Sequence, residues 1–343
     1  MTESDGNGLT SHRQPTGKSP LISVVVPVYS EQELLAEFYA RTKKVLGGLD
    51  PTYRHEILFV DDGSTDRSPE ILAELARSDS AVRVISFARN FGHQIAITAG
   101  LDHARGDVAV IIDSDLQDPP EVIPQMLDKW KEGFKVVYGV RIARDGETGF
   151  KRATAKAFYR LLSHLSDTPI PIDSGDFRLI DRKVIDALGE IREQSRYLRG
   201  LVSWIGFKQC GVPYHRDSRQ AGATKFPLRK MMAFALDGIS SFSERPLRLS
   251  SHLGFLATAA SILAMLFIIV GKLMHPELSV GGWASVMVAV LFLGGVQLVC
   301  IGILGEYIGR IFRQAKARPL YIVADRINFT EPQVAQQSAE RTL

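Results

Sequence analysis

Four acidic residues follow an apolar run in the stretch VIIDSDLQDPPE, residues 110–121. If the chain stays extended there, alternate side chains face one side, so Asp113, Asp115 and Gln117 point the same way. Oxygen ligands in small number suit Mg²⁺ or Mn²⁺, which keep positions open for water and substrate phosphates. The spacing therefore predicts a divalent-metal site. The simpler alternative is that the acids cap a helix and solvate a loop.

Asp118 stands before two prolines and is expected to be a helix N-cap, so it is left out of the metal set.

Two other polar motifs stand where apolar runs end. In PVYSEQE, residues 27–33, Pro27 fixes the backbone, Tyr29 offers a ring face and Glu31 a carboxylate. In VDDGSTD, residues 60–66, a turn carries Asp62, which could hydrogen-bond a base or a ribose. The alternatives are a strand bulge and an ordinary helix start, and each motif alone leaves that choice open.

The elements that must position these motifs form an α/β pattern. Five apolar runs, ISVVVPVY, EILFV, VRVIS, VAVIID and KVVYGV, alternate with helical windows up to about residue 140. Strands that are apolar on both faces predict a Rossmann-like, mostly parallel sheet covered by helices. Ligands collect beyond the carboxyl ends of such strands, so the three motifs are expected to converge at one edge. After residue 149, DRKVIDAL predicts a helix and FKQCGVPY a strand.

Two long apolar runs, 253–270 and 283–304, change the character of the last third. At about 1.5 Å per residue each can cross a hydrocarbon core of roughly 30 Å, which predicts a two-helix transmembrane hairpin with spans at about 252–272 and 283–305. A buried core hairpin is the alternative. Basic residues flank the hairpin on both outer sides, so both ends are expected to be cytoplasmic. The stretch PLRKMMAFALDGISSF, 227–242, predicts an interfacial helix, or an amphipathic helix packed on the sheet.

Composition excludes several classes of protein. The net charge of +3 and the lack of a Lys/Arg block argue against nucleic acid as a partner. Two distant cysteines argue against a disulfide or a cysteine metal site. No G-x-G-x-x-G follows the first strand, which excludes a dehydrogenase. The expected organisation is a disordered tail (1–20), a cytosolic catalytic domain (21–225), interfacial helices (226–250), the hairpin (251–306) and a cytosolic tail (307–343).

The motifs PVYSEQE, VDDGSTD, NFGHQIAITAG, DSDLQDPPE, SGDFRLIDR and AGATKF occur in this order before the two apolar runs. This series resembles the membrane-anchored polyprenyl-phosphate glycosyltransferases of glycosyltransferase family 2, the group of bactoprenol glucosyltransferases and dolichyl-phosphate mannose synthases. The resemblance covers about residues 21–323. It implies a GT-A fold, a nucleotide-diphosphate sugar donor, a divalent metal, a polyprenyl phosphate acceptor and inversion at the anomeric carbon.

The resemblance also implies site residues. Donor binding falls on Pro27, Tyr29, Glu31, Asp62, Asp113 and Ser114; the Mg²⁺ or Mn²⁺ ligands on Asp113, Asp115 and Gln117; catalysis on Asp176, with Asp173 as a competitor; and the acceptor phosphate on Arg141, Arg219 and Lys225. The resemblance to the bactoprenol enzymes favours UDP-glucose and undecaprenyl phosphate in a bacterial inner membrane, with GDP-mannose or an amino-sugar donor as alternatives. A processive synthase is disfavoured because QSRYLRG differs from its Gln-x-x-Arg-Trp motif, and the complete acid set disfavours a non-catalytic scaffold. Gly294, Gly295 and Gly302 permit close helix packing, so a homo-oligomer stays open.

Overall fold

The computed structural model describes residues 19–142, 174–194, 196–215, 245–274 and 282–329. The expected interfacial helix at 227–242, together with Asp173, Arg219 and Lys225, lies outside these residues. The described strands are β1 (Leu21–Val28), β2 (Arg54–Asp61), β3 (Val82–Phe87), β4 (Val108–Ile111), β5 (Val136–Arg141), β6 (Ser174–Asp181), β7 (Gln209–Tyr214) and β8 (Val323–Ile327). The helices are α1 (Leu35–Gly47), α2 (Ser68–Ser78), α3 (His93–His103), α4 (Ile123–Lys131), α5 (Arg182–Glu190), α6 (Leu198–Ile205), α7 (Arg245–Met274) and α8 (Trp283–Ala315).

All of these strands join one sheet in the order β7-β5-β6-β4-β1-β2-β3-β8. The four strands β4, β1, β2 and β3 are mutually parallel, as the apolar runs predict. β6 is antiparallel to both β4 and β5, and β7 is parallel to β5. The carboxyl ends of β1 to β5 and β7 therefore share one edge with the start of β6, and this shared edge is called the carboxyl edge below.

The core lies on both faces of the central strand β1. Val24 and Val26 are fully buried in one cluster with Phe38 of α1, whereas Val25 faces the opposite cluster with Ile97 of α3. Successive side chains of a strand point to opposite faces, so an unbroken apolar run serves both layers. This rigid three-layer body fixes the strand ends on which the candidate site is built.

Two strands lie where the sequence pattern did not identify them. β6 has the mixed sequence SGDFRLID and sits between β4 and β5. β8 lies in the segment expected to be a cytosolic tail and pairs antiparallel with β3 at the sheet margin. α8 also continues to Ala315, beyond the expected end of the second span.

The C-terminal helices α7 and α8 contact each other, and Cys300 Sγ lies 3.5 Å from the Ser250 carbonyl oxygen. Within the described residues one helical segment, Val286–Ala315, is long and apolar enough to cross a membrane, and an 18-residue stretch of it has a mean hydropathy of 2.5. The apolar part of α7, Ser250–Ala264, is shorter. By length and composition, this part of α8 is one candidate membrane span.

Candidate active site

The acidic stretch after β4 turns rather than staying extended. Asp115 Oδ1 accepts a hydrogen bond from the Gln117 backbone N–H at 3.1 Å, and Leu116 has a φ of 59°. The assumption of an extended chain is therefore wrong. Asp113, Asp115 and Gln117 are nevertheless partly exposed, whereas the residues between them are buried. The turn leaves the three predicted metal ligands reaching solvent at the carboxyl edge.

Asp113 carries the clearest electrostatic signal in this stretch. Burial raises the pKa of Asp113 to about 6, although nearby His93 opposes the shift. Its Oδ1 is buried and has no hydrogen-bond partner among the described residues, with His93 Nε2 3.5 Å away. A desolvated carboxylate oxygen without a donor is costly unless a cation compensates it. These oxygens fit a divalent cation.

The metal set depends on an amide as well as carboxylates. The described part of the chain contains no group of three His, Cys, Asp or Glu residues that could hold a metal by itself. Asp113 and Asp115 supply carboxylates, and Gln117 would supply the third protein oxygen. Magnesium-type sites are commonly completed by water and substrate phosphates, so two carboxylates and an amide suffice chemically.

Asp176, the predicted catalytic residue, lies near the start of β6 at the same edge. Arg199 of α6 contacts both of its oxygens, with Nε–Oδ1 at 2.8 Å and Nη2–Oδ2 at 3.2 Å. Gln94 Nε2 donates to Oδ2 at 3.2 Å. Burial alone would raise the pKa of Asp176, but His93 and Arg199 hold it well below its usual range. Asp176 is therefore held in its ionised form, which makes it a weak base.

Arg178, two residues after Asp176 on β6, is the basic residue nearest to it in the sequence. Its Nη2 instead donates to the Gly175 carbonyl oxygen at 2.9 Å, and its side chain is buried in the sheet. Burial lowers the pKa of Arg178 to about 10. The ion-pair partner of Asp176 is Arg199, which stands in the QSRYLRG segment.

His93 lies between the acidic stretch after β4 and Asp176 of β6. Its Nε2 lies 3.5 Å from Asp113 Oδ1 and 3.4 Å from Asp176 Oδ2. Desolvation alone would lower the pKa of His93, but the two carboxylates raise it. Residue spacing does not single out His93, because no metal-ligand pattern surrounds it. Its place follows from α3, which begins at His93 directly after the loop that ends β3.

Asp62 has a different position from the one predicted. Its side chain is 3% exposed, and its oxygens accept backbone N–H groups from Phe91 at 2.6 Å and Gly92 at 2.9 Å. Gly63 has a φ of 70°, and a Cβ there would lie 2.5 Å from the Arg89 carbonyl carbon. Asp62 thus holds the loop that delivers His93, and its role in binding a base or a ribose stays a prediction.

The other predicted donor-binding residues divide into buried and accessible ones. Pro27 is buried in β1, and its carbonyl oxygen lies 3.5 Å from the hydroxyl of Ser114, which is 3% exposed. Tyr29 is 51% exposed, and Glu31 is partly exposed. Of the predicted donor-binding residues in PVYSEQE, Tyr29 and Glu31 are therefore the ones whose side chains a soluble donor can reach.

Arg141 at the end of β5 is held by a buried tyrosine and a buried acid. Its Nε donates to the Tyr214 hydroxyl oxygen at 3.3 Å, and that hydroxyl donates to Asp118. A Cβ added to Gly175 would lie 2.7 Å from Arg141 Nη2, so the guanidinium stands beside the residue before Asp176.

The N-cap assignment for Asp118 is wrong: the cap of the following turn is Pro119, and Asp118 is buried against Tyr214.

Comparisons with known proteins match both the α/β domain and the C-terminal helices. The family model described as glycosyl transferase family 2 matches residues 23–189, and the one described as the GtrB C-terminal hairpin matches residues 245–311. An uncharacterised glycosyltransferase of Bacillus subtilis, YkcC, is 53% identical over 301 residues, which cover 88% of this chain and 92% of that protein. The bactoprenol glucosyl transferase of Shigella phage SfX is 42% identical over 305 residues, covering 89% and 99% respectively.

A third relative, an uncharacterised glycosyltransferase of Synechocystis, is 44% identical over 304 residues, covering 89% of this chain and 95% of its own length. These similarities extend through both the α/β domain and the apolar helices. The sheet and its covering helices form a GT-A-like α/β domain, as the resemblance implied. The chain belongs to glycosyl transferase family 2, among the members that carry a GtrB C-terminal hairpin.

Proposed function

We propose that the protein transfers glucose from UDP-glucose to undecaprenyl phosphate, with inversion at the anomeric carbon. The observation that carries the proposal is the meeting of Asp113 and Asp176 around His93 at the carboxyl edge. The names of several relatives, bactoprenol glucosyl transferase, support glucose and the lipid acceptor. The products would be polyprenyl-phosphate glucose, used in cell-envelope glycan modification, and UDP.

The donor would lie along the accessible parts of the carboxyl edge. Tyr29 offers an exposed ring for the base, and Glu31 offers a carboxylate to the nucleoside. Asp62 contributes indirectly because it fixes the loop before α3. Ser114 likewise packs against β1 and supports the turn that carries the metal ligands.

Asp113, Asp115 and Gln117 would hold Mg²⁺ or Mn²⁺. When bound, the ion supplies charge neutralisation for the leaving diphosphate. The desolvated Oδ1 of Asp113 is the feature of the described residues that fits this role. The turn after β4 positions Asp115, whose Oδ1 accepts a hydrogen bond from the Gln117 backbone N–H.

The acceptor needs little help to become a nucleophile. A phosphate monoester has its second pKa near 6, so it is largely dianionic at neutral pH. One of its oxygens forms a bond to the anomeric carbon as the bond to the UDP oxygen breaks, which inverts the configuration. Asp176, held ionised by Arg199, aligns the sugar or the partners around it rather than removing a proton.

Basic side chains must bring the acceptor anion next to the donor anion. Arg141 stands beside Gly175 and is anchored by Tyr214, so its guanidinium is available at the edge for a phosphate. Arg219 and Lys225 remain assigned to the lipid phosphate by the family resemblance. We place the catalytic domain and both termini on the cytoplasmic side of the bacterial inner membrane, with α7 and α8 as a two-span hairpin.

The proposal is tested by mass spectrometry of lipid products. Membranes containing the full-length protein are incubated with Mg²⁺, undecaprenyl phosphate and separate nucleotide sugars: UDP-glucose, UDP-N-acetylglucosamine and GDP-mannose. We expect a lipid heavier by one hexose with UDP-glucose. A product with another donor alone would correct the sugar while keeping the lipid acceptor. No product with any of them would overturn the proposed function.

A further inference from the structure

The segment 316–329, which follows α8, is fastened to the catalytic domain at several separate points. It is called the C-terminal strap below. Asn328 Nδ2 donates to the carbonyl oxygens of Ala76 and Val82, both at 2.7 Å. The Phe329 ring lies 3.9 Å from the Arg83 guanidinium carbon. These contacts tie the far end of the strap to the end of α2 and the start of β3.

The middle of the strap is fastened near the carboxyl edge. Tyr321 stacks on Phe87, with ring centroids 5.2 Å apart and an interplanar angle of 17°. Its hydroxyl donates to Asp102 Oδ2 at 2.9 Å, and the same oxygen accepts from Arg192 at 2.8 Å. One acid of α3 therefore joins the strap to the segment that links α5 to α6.

The orientation of β8 shows at which edge of the sheet the strap connects to α8. β8 pairs antiparallel with β3, with Val323 opposite Phe87 and Ile327 opposite Val84. The Ile322 carbonyl oxygen accepts the Ala88 N–H at 3.0 Å, just past the end of β3. The chain that leads back to α8 therefore departs from the carboxyl edge, the edge that carries the candidate site.

The end of α8 also touches the catalytic domain directly. The Gln194 backbone N–H donates to Gln314 Oε1 at 2.8 Å, and Gln194 Nε2 donates to the Arg318 carbonyl oxygen at 2.6 Å. Glu306, the first acidic residue on α8, lies eight residues before Gln314, or about 12 Å along a helix. Gln194 lies in the segment just before α6, and α6 carries the Arg199 that pairs with Asp176. This segment therefore binds the chain a short distance beyond the apolar part of α8.

We propose that the C-terminal strap is a specificity-determining element that holds the carboxyl edge toward the bilayer, so that the enzyme uses a phosphate presented at the membrane surface. This inference rests on the proposed function. A flexible tether would keep the domain near the membrane but leave the edge free to turn away. The strap contacts remove that freedom, because they join α8 to β3, α3 and the segment before α6.

The first test compares two acceptors with one enzyme. Full-length protein in lipid nanodiscs is assayed with undecaprenyl phosphate in the bilayer, and the same protein in detergent is assayed with a water-soluble ten-carbon prenyl phosphate. Combining Asn328→Ala with Tyr321→Ala removes three hydrogen bonds and a ring stack. We expect at least a tenfold loss of kcat/KM with the bilayer acceptor and less than a twofold change with the soluble one.

Asp325→Ala is the matched control, because Asp325 is exposed on β8 and its carboxylate accepts a hydrogen bond from Arg326 within the strap. It should behave as the parent protein with both acceptors. Equal losses on both acceptors in the double variant would overturn the proposal, since the strap would then support the site itself. An unchanged rate with the bilayer acceptor would overturn it as well.

A second measurement does not depend on transfer. Spin labels are placed at Glu74 of α2 and Ile308 of α8 in a background in which Cys210 and Cys300 are serine, and their separation is measured by pulsed EPR in nanodiscs. We expect one narrow distance distribution in the parent and a broad one in the double variant. Equally narrow distributions would overturn the strap proposal. A parent with a narrow distribution but no transfer to either acceptor would instead count against the proposed function alone.

Discussion

Arg199 and Asp176 form a two-point ion pair at the carboxyl edge, with Nε–Oδ1 at 2.8 Å and Nη2–Oδ2 at 3.2 Å. The pair joins the start of α6 to the start of β6. A planar guanidinium fork fixes the orientation of a carboxylate as well as its charge. Asp176 is therefore a preorganised anion, and Arg199 is a positioning residue for it.

Arg199→Ala should lower kcat about 100-fold while changing the KM for UDP-glucose less than about twofold, because a misplaced catalytic group costs rate rather than donor affinity. Arg199→Lys keeps the charge but loses the fork, so we expect a loss of about tenfold. Steady-state kinetics with both substrates checks this prediction. Arg77→Ala, a change of an exposed arginine on α2, serves as the control. Equal rates for the Lys variant and the parent would show that charge alone matters, whereas equal losses in the Ala and Lys variants would show that the fork alone matters.

Asp115→Asn should reduce metal-dependent transfer at least 100-fold, because it removes one of the two carboxylates proposed for the ion. The variant should fold and insert like the parent, since Asp115 lies in a solvent-facing turn. Mn²⁺ binding measured by EPR should weaken in parallel with activity. Glu121→Gln is the matched control from the same acidic stretch, as Glu121 pairs with Arg41. Undiminished turnover in Asp115→Asn would refute the metal assignment.

Asp113→Asn should stabilise the metal-free protein at pH 7.5. Burial raises the pKa of Asp113 from 3.8 to about 6. Between these values the folded chain keeps a proton that the unfolded chain has lost, so its stability falls as pH rises, and the penalty is complete above about pH 6. Two pH units correspond to at most about 3 kcal/mol. We expect a gain of about 1–3 kcal/mol, or several degrees in Tm.

This stability gain should disappear at pH 4, where the Asp113 carboxyl of the parent is largely protonated in the folded state. Thermal melts in EDTA at both pH values check the prediction. An equal gain at pH 4 and pH 7.5 would mean that the effect is steric rather than electrostatic. A gain in stability together with lost transfer would identify Asp113 as a residue kept for function at a cost in stability.

Tyr214→Phe should raise the KM for the phosphate acceptor by at least about 10-fold, the factor that roughly 1.5 kcal/mol corresponds to, with little change in kcat. The hydroxyl joins buried Asp118 to Arg141, and losing a hydrogen bond to a charged group is worth about 1.5–3 kcal/mol. Tyr39→Phe is a matched control, because it removes a tyrosine–aspartate hydrogen bond, to Asp79, from α1. A fall in kcat for Tyr214→Phe with unchanged acceptor KM would place Arg141 on the donor instead.

The sequence predicted the parallel half of the sheet because those strands are buried on both faces and read as unbroken apolar runs. β6 escaped detection because SGDFRLID carries Asp176, Arg178 and Asp181 in a strand. Arg199 and Lys135, from other parts of the chain, pair with the two acids, and the Gly175 carbonyl oxygen accepts from Arg178. β8 is short, exposed and polar, so its pairing with β3 depends on contacts that no local pattern reveals.

The candidate site likewise has residues that a local sequence pattern identifies and residues that it does not. The acidic stretch could be found because its spacing is local, although its turn could not. His93, Gln94 and Arg199 were missed because their roles arise only when α3, β6 and α6 meet. NFGHQ and QSRYLRG carried these residues, but nothing in either segment alone distinguishes a site residue from a solvated one. Long-range topology, rather than residue type, decided their position.

The most direct measurement is anomalous X-ray scattering from crystals of the full-length protein soaked with Mn²⁺ and UDP-glucose. We expect a single strong manganese peak at the carboxyl edge, ligated by Asp113, Asp115 and Gln117 and touching the diphosphate. A manganese peak elsewhere, with these three side chains unoccupied while the donor is bound, would contradict the proposed catalytic site.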